Sequence, residues 1–131
     1  MNTPLGKKKW VIPEGYIPGW SHGDSPDLES HDALLILNTS NKTAHVEIYI
    51  YFEDKDPVGP YSVIINPIRT KHLLVNDFTS PQPIPRETAY SSVISSDTPV
   101  VVEYTRLDSR QAENALLTTI AYPVEERKSN G

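Results

Sequence analysis

The chain contains no cysteine. Disulfides, thiolate metal sites and cysteine nucleophiles are therefore excluded, and the absence fits a reducing compartment. Long apolar runs are also missing. A membrane-spanning helix needs roughly 18 or more continuous apolar residues, and the longest run here is residues 33–37. Near the N-terminus, Lys7-Lys8-Lys9 leads into Trp10-Val11-Ile12, but Pro13 and Glu14 interrupt at once, so no signal-peptide core is expected. There is no Gly-x-Ser-x-Gly elbow, and the six glycines are too scattered to cradle a phosphate. A Ser-His-Asp triad assembles from distant positions, and nothing in the sequence selects one. Positive charge is the scarcer sign. Twelve Lys and Arg stand against seventeen Asp and Glu, for a net charge of -5. That balance weighs against a nucleic-acid partner, which meets a basic face.

What is present fits one domain. A chain of 131 residues carries a core of its own and buries roughly two-thirds of its unfolded surface. Twelve prolines break the sequence at short intervals, and proline is confined to loops, strand ends and bulges. Between them lie short runs rich in Val, Ile, Tyr and Thr. The spacing predicts strands over residues 10–12, 33–37, 45–52, 61–65, 71–75, 90–94, 100–105 and 116–122. The clearest run sends Val46, Ile48, Ile50 and Phe52 to a core and His45, Glu47, Tyr49 and Tyr51 to an outer face. The two tyrosines mark that outer face as a candidate subunit contact.

Residues 54–60 read as the turn between two strands, and the proline-dense stretch 79–85 as an extended surface crossover. Asn38-Thr39-Ser40 and Asn41-Lys42-Thr43 match the glycosylation sequon but read as a polar turn. Residues 108–117 are compatible with a helix, yet a tight turn at 109–111 followed by a strand is preferred. The expected fold is all-β, an antiparallel β-sandwich of about eight short strands in a single domain. Residues 1–9 are expected as a flexible N-terminal segment, 10–123 as the sandwich and 124–131 as a flexible tail.

Candidate chemistry is thin. His22, His31, His45 and His72 lack the close spacing of a metal motif. Surface or hydrogen-bonded histidine is the favoured reading, and no metal or cofactor is expected. The densest polar constellation is Thr105-Arg106-Leu107-Asp108-Ser109-Arg110-Gln111-Ala112-Glu113-Asn114. Arginine's planar fork suits carboxylates, phosphates and sugar hydroxyls; a salt-bridged corner explains the block equally well. A second cluster, Glu14-Gly15-Tyr16-Ile17-Pro18-Gly19-Trp20, offers aromatics that stack on a ligand or plug the end of a sandwich.

These segments carry a resemblance. Glu14-Gly15-Tyr16-Ile17-Pro18, Ala44-His45-Val46-Glu47-Ile48, Asp56-Pro57-Val58-Gly59-Pro60-Tyr61, Arg69-Thr70-Lys71-His72, Asn76-Asp77 and the block from Thr105 through Leu117 to Tyr122 resemble the sensory rhodopsin transducer family. The match runs from about Trp10 to Tyr122. The resemblance implies a β-sandwich subunit in a homotetramer, cytoplasmic and coupled to a seven-helix photoreceptor, with no enzymatic activity. It also implies small-ligand binding of carbohydrate type, in a pocket drawn from Glu14, His31, His72, Arg106, Asp108, Arg110 and Glu113. Two readings follow: a signalling protein that acts by binding partners, and a sugar-like ligand sensor independent of a rhodopsin. A hydrolase or metal enzyme using His31, His45 or His72 ranks third.

Overall fold

A computed structural model describes residues 3–19, 30–108 and 115–125. They form eight strands: β1 (Lys7–Gly15), β2 (His31–Asn38), β3 (Ala44–Tyr51), β4 (Val58–Ile65), β5 (Arg69–Leu74), β6 (Tyr90–Asp108), β7 (Ala115–Ile120) and β8 (Tyr122–Val124). A 3-10 turn, Val75–Asp77, follows β5. All pairings are antiparallel. Sheet A runs β4-β3-β6-β1-β8, and sheet B runs β5-β2-β6-β7. The expected antiparallel sandwich in one domain is what the chain forms.

Strand β6 joins the two layers. Its first part, around residues 90–96, lies between β1 and β3, and residues 101–107 lie beside β2. Two of the strands expected from sequence, 90–94 and 100–105, are therefore one strand of nineteen residues. Pro99 suggested a break, because proline cannot donate to a ladder. It is accommodated where the β1 register slips: Lys7 faces Val100 while Lys9 faces Ser95, and bulges are where strands tolerate proline. Conversely, the expected strand 116–122 is two. Leu116 to Ile120 pair with β6, Ala121 donates its N–H to the Val102 carbonyl at 3.0 Å, and β8 then pairs with β1.

Strand β3 follows its alternation closely. Val46, Ile48 and Ile50 are fully buried, while His45, Glu47 and Tyr51 are exposed. Each of those aliphatic side chains contributes roughly 2 kcal/mol by leaving water. Phe52 sits just past the strand end and is only half-buried, packed against the core's margin. Tyr49 is half-buried on the outer face. Strand β1 begins at Lys7, three residues before the boundary expected from sequence. Trp10 anchors it, with its indole N–H donating to the carbonyls of Lys7 and Val100, both at 3.0 Å.

The turn between β2 and β3 is organised by Asn38, which is fully buried. Its amide donates to the carbonyls of Lys42, Ile65 and Asn66, and its oxygen accepts from the N–H and hydroxyl of Ser40. An amide so engaged is closed to glycosylation. Residues 79–85 lie outside the ladders, as expected of a crossover. They are pinned by the buried Ile84 and by the Tyr61 hydroxyl donating to the Gln82 carbonyl. The turn expected at residues 109–111 lies outside the described residues; the strand expected after it is β7. Among the described residues, no helix is long and apolar enough to cross a membrane.

Candidate functional site

A polar cluster sits where β1, β2 and β6 meet. Along β2, Asp32 shares its inward parity with Leu34 and Ile36, and all three are buried. A carboxylate at 0 % exposure is sustained only by bonded partners. Its Oδ2 accepts from the Tyr16 backbone N–H at 2.9 Å and from the Tyr90 hydroxyl at 2.5 Å. Its Oδ1 accepts from Arg106 Nε at 3.4 Å. Its own N–H donates to Asn76 Oδ1, whose amide donates in turn to the Ser30 carbonyl. Arg106 Nε also donates to the Tyr104 hydroxyl at 3.1 Å, and the guanidinium lies 5.8–5.9 Å from the ring centres of Tyr104 and Tyr16.

Backbone geometry brings these groups together. Arg106 faces Asp32 across the β2–β6 ladder. Gly15 pairs with Tyr90, and a Cβ there would sit 2.3 Å from the Tyr90 ring. Only glycine lets that ring cross β1 to reach Asp32. The Glu14-Gly15-Tyr16 segment thus supplies the bare backbone for Tyr90 and the N–H for Asp32.

Electrostatics follow from burial. Desolvation pushes the Asp32 carboxyl above its usual range, and the Tyr90 hydroxyl, Arg106 charge, Tyr104 hydroxyl and Tyr16 N–H offset this only in part. Burial and then the Asp32 charge raise Tyr90 and Tyr104, so both phenols stay protonated. Burial works against the Arg106 charge, but Tyr104 and Asp32 outweigh it and hold the guanidinium firmly charged. Among the described residues, every buried side-chain nitrogen and oxygen has a partner. The cluster is a clamp between the two sheets, with the Asp32 carboxyl bonded to Tyr16, Tyr90 and Arg106 at its centre.

Among the described residues, two clefts border it. One, of about 360 Å³, opens beside Tyr104 and is lined by Ile12, Pro13, Thr119 and residues of the β7–β8 crossover, including Tyr122. The other, about 210 Å³, is lined by Glu14, Tyr51, Phe52, Glu53 and Tyr90 among others.

Of the site residues expected from sequence, Arg106 enters the cluster, its Nε bonded to Asp32 and Tyr104. Glu14 is exposed on the smaller cleft. His31 begins β2 beside Leu107, while His72 lies on edge strand β5 beside Leu35. Four residues separate those two positions along β2, roughly 13 Å, so they do not converge. Asp108 ends β6 opposite Ala115. Arg110, Glu113, Trp20 and His22 lie outside the described residues. His45 is on the surface, its N–H and ring bonded to Asp97. Among the described residues, no three His, Cys, Asp or Glu gather as a metal site. Asp32, Tyr90 and Tyr104 were not singled out by the sequence reading, and Asn76 entered it only as a marker of the resemblance, not as a site residue. The available signal was parity: Asp32 continues the inward series of Leu34 and Ile36.

Comparison with known proteins then decides the family. A family model described as Anabaena sensory rhodopsin transducer matches residues 5–123. The chain belongs to that transducer family. The solved Anabaena sensory rhodopsin transducer is 51% identical, covering 82% of this chain and 94% of its own, with a TM-score of 0.73. The crystal structure of Thermotoga maritima 1070 is 37% identical, covering 93% of this chain and 98% of its own, with a TM-score of 0.82. No curated protein matches this chain. The matched span contains every described partner of the Asp32 clamp and both clefts. The clamp is therefore part of the transducer domain itself, not of an appended segment.

Proposed function

We propose that this chain is a cytoplasmic signalling protein that acts by binding partners rather than by catalysis. Its receptor is a seven-helix sensory rhodopsin, and the working form is a homo-oligomer, with a tetramer as the expected state. The observation that carries the reading is the 51% identity to the Anabaena sensory rhodopsin transducer across nearly the whole of that chain. The clamp agrees with a non-catalytic role, since its ionisable groups are bonded to one another. A transducer must bind two receptor states with different affinity, because equal affinity shifts nothing. The test is binding to a retinal-loaded microbial rhodopsin in nanodiscs, in the dark and under illumination. The expected result is a change in Kd of about tenfold or more, equivalent to about 1.4 kcal/mol. Binding that is absent, or identical in both states, overturns the receptor reading.

One observation favours a second reading, a sensor of sugar-like polyols. The larger cleft is lined by Tyr104, Thr119 and Tyr122 among others, and aromatic side chains beside a hydroxyl-bearing one suit a sugar ring. A sugar at about a hundred times its Kd is expected to stabilise the fold by about 2.7 kcal/mol. A thermal-shift panel of mono- and disaccharides reads this directly, and Tyr122→Ala should remove the shift. A flat panel removes the second reading.

A further inference from the structure

The smaller cleft, of about 210 Å³, lies at the end of sheet A where β1 leaves its ladder. The pairing of β1 with β6 slips between Ile12 and Gly15, and an irregularity of this kind re-aims the side chains within it. Glu14 lies in the slip and is exposed on the cleft. The Ser91 hydroxyl ties β6 to this segment by donating to the Pro13 carbonyl at 2.6 Å. Across β6 from there, Tyr51 pairs with Ser91, and Phe52 and Glu53 continue the lining. Two carboxylates from distant segments thus share one cleft with aromatic rings. Among the described residues, neither carboxylate has an ion pair or a hydrogen bond.

Size and charge select the occupant. Pockets for whole small ligands start at about 300 Å³, so this cleft fits a single side chain presented by a larger partner. Its described lining contains no Lys or Arg. The turn after β3 adds Asp54 and Asp56 against one Lys55, all exposed. Lipid and nucleic-acid phosphates are repelled by such a rim, and a cation is drawn to it. The same turn shows that its rings accept a cation: Lys55 Nζ stands 4.5 Å from the centre of the Phe52 ring. Tyr51, 44% exposed, offers a second ring. A guanidinium stacks on an aromatic face and donates in a fork to carboxylates at the same time. Cytoplasmic loops of membrane proteins carry an excess of Lys and Arg.

We propose that this cleft receives an arginine side chain from a basic loop of a protein partner, held by Glu14 and Glu53 and stacked on Tyr51. The proposal rests on the receptor reading above and names the surface that meets the receptor. Tyr90 lines the cleft and bonds Asp32, so the arginine would sit directly against the clamp. The experiment has two arms, both at about 0.15 M salt, where charges beyond about 8 Å are screened. The first measures anisotropy of a dye-labelled tetra-arginine peptide with the parent, with Glu14→Gln/Glu53→Gln and with Asp54→Asn/Asp56→Asn. The last variant removes the same charge outside the cleft, and all four positions are exposed, so the fold is spared. The expected result is binding by the parent, weakened about tenfold or more in the cleft variant by loss of charge-assisted hydrogen bonds. The control should lose less than about threefold, the effect of a screened charge. A parent that does not bind the peptide, or equal losses in the two variants, overturns the site. The second arm puts the same three proteins on the rhodopsin nanodiscs, and the cleft variant alone should lose affinity. Rhodopsin binding undiminished in that variant overturns the cleft as the receptor contact and leaves the receptor reading standing. A parent that binds the peptide but not the rhodopsin supports the site and overturns the receptor reading.

Discussion

Arg106→Ala is expected to cost about 3 kcal/mol of stability at neutral pH, and part of that loss is expected to return on acidification. The resemblance assigns the residue to a ligand pocket. In the structure its Nε is bonded to a carboxylate with no exposure to water and to the Tyr104 hydroxyl. Breaking a buried pair from one side leaves an uncompensated charge, at roughly 3–5 kcal/mol. The lower end applies here, because Arg106 is itself 22% exposed at the side chain and Asp32 keeps the Tyr90 and Tyr16 donors. The pH dependence has a definite sign. The folded-state pKa of Asp32 lies above 3.8, and the Arg106 charge holds it down. Removing Arg106 raises it further. Between 3.8 and that raised value the folded state holds a proton that the unfolded state does not, so stability due to this group falls as pH rises. The variant has the wider window and gains more on acidification. The gap between parent and Arg106→Ala should therefore narrow as pH drops from 7 toward 4, read by urea unfolding at each pH. Adding Asp32→Asn to Arg106→Ala should restore stability at pH 7. A gap that is constant with pH, with no rescue, would show that Arg106 acts by packing alone.

Trp10→Ala is expected to cost roughly 3–5 kcal/mol, the range for emptying a large aromatic site in a packed core. At 3% exposure the ring lies in the main core cluster. Its indole N–H holds the Val100 carbonyl at the point where β6 leaves sheet A for sheet B. Gly6 marks the same crowded crossing, since a Cβ there would sit 1.9 Å from the Val100 oxygen. Domains of this size have only about 5–15 kcal/mol in total, so the alanine variant should melt roughly 10–20 °C lower. Trp10→Phe keeps most of the ring and loses the donor. It should cost about 1–3 kcal/mol, for a buried carbonyl left short of a partner. Equal losses in the two variants would assign the whole effect to the hydrogen bonds, and an undiminished melting point in either would remove Trp10 from the crossing.

The all-β class, the inward set of β3 and the turns after β2 and β3 were legible in the sequence, although the expected turn 54–60 ends before Val58, where β4 already begins. Each depends on local rules: period-two alternation, proline's missing donor, and polar residues at turns. Strand count and identity were less legible. Pro99 reads locally as a break, and only the register slip of β1 beside it shows that β6 continues. Residues 116–122 read as one strand, because nothing local records that Ala121 passes from β6 to β1.

The site was legible only in pieces. Arg106 and the Glu14-Gly15-Tyr16 segment stood out by composition, but their purpose lay in Asp32, sixteen residues from Tyr16 and seventy-four from Arg106. By itself the sequence determined which faces are apolar, where the chain turns, and which family it resembles, because these follow from side-chain chemistry along a few neighbouring residues. Only the tertiary structure decided that Asp32 is sealed among Tyr90, Tyr104 and Arg106. It alone showed His31 and His72 apart, and Glu14 and Glu53 brought to one cleft. Those facts depend on which strands lie side by side, and pairing between distant segments is set by the packing of the whole core.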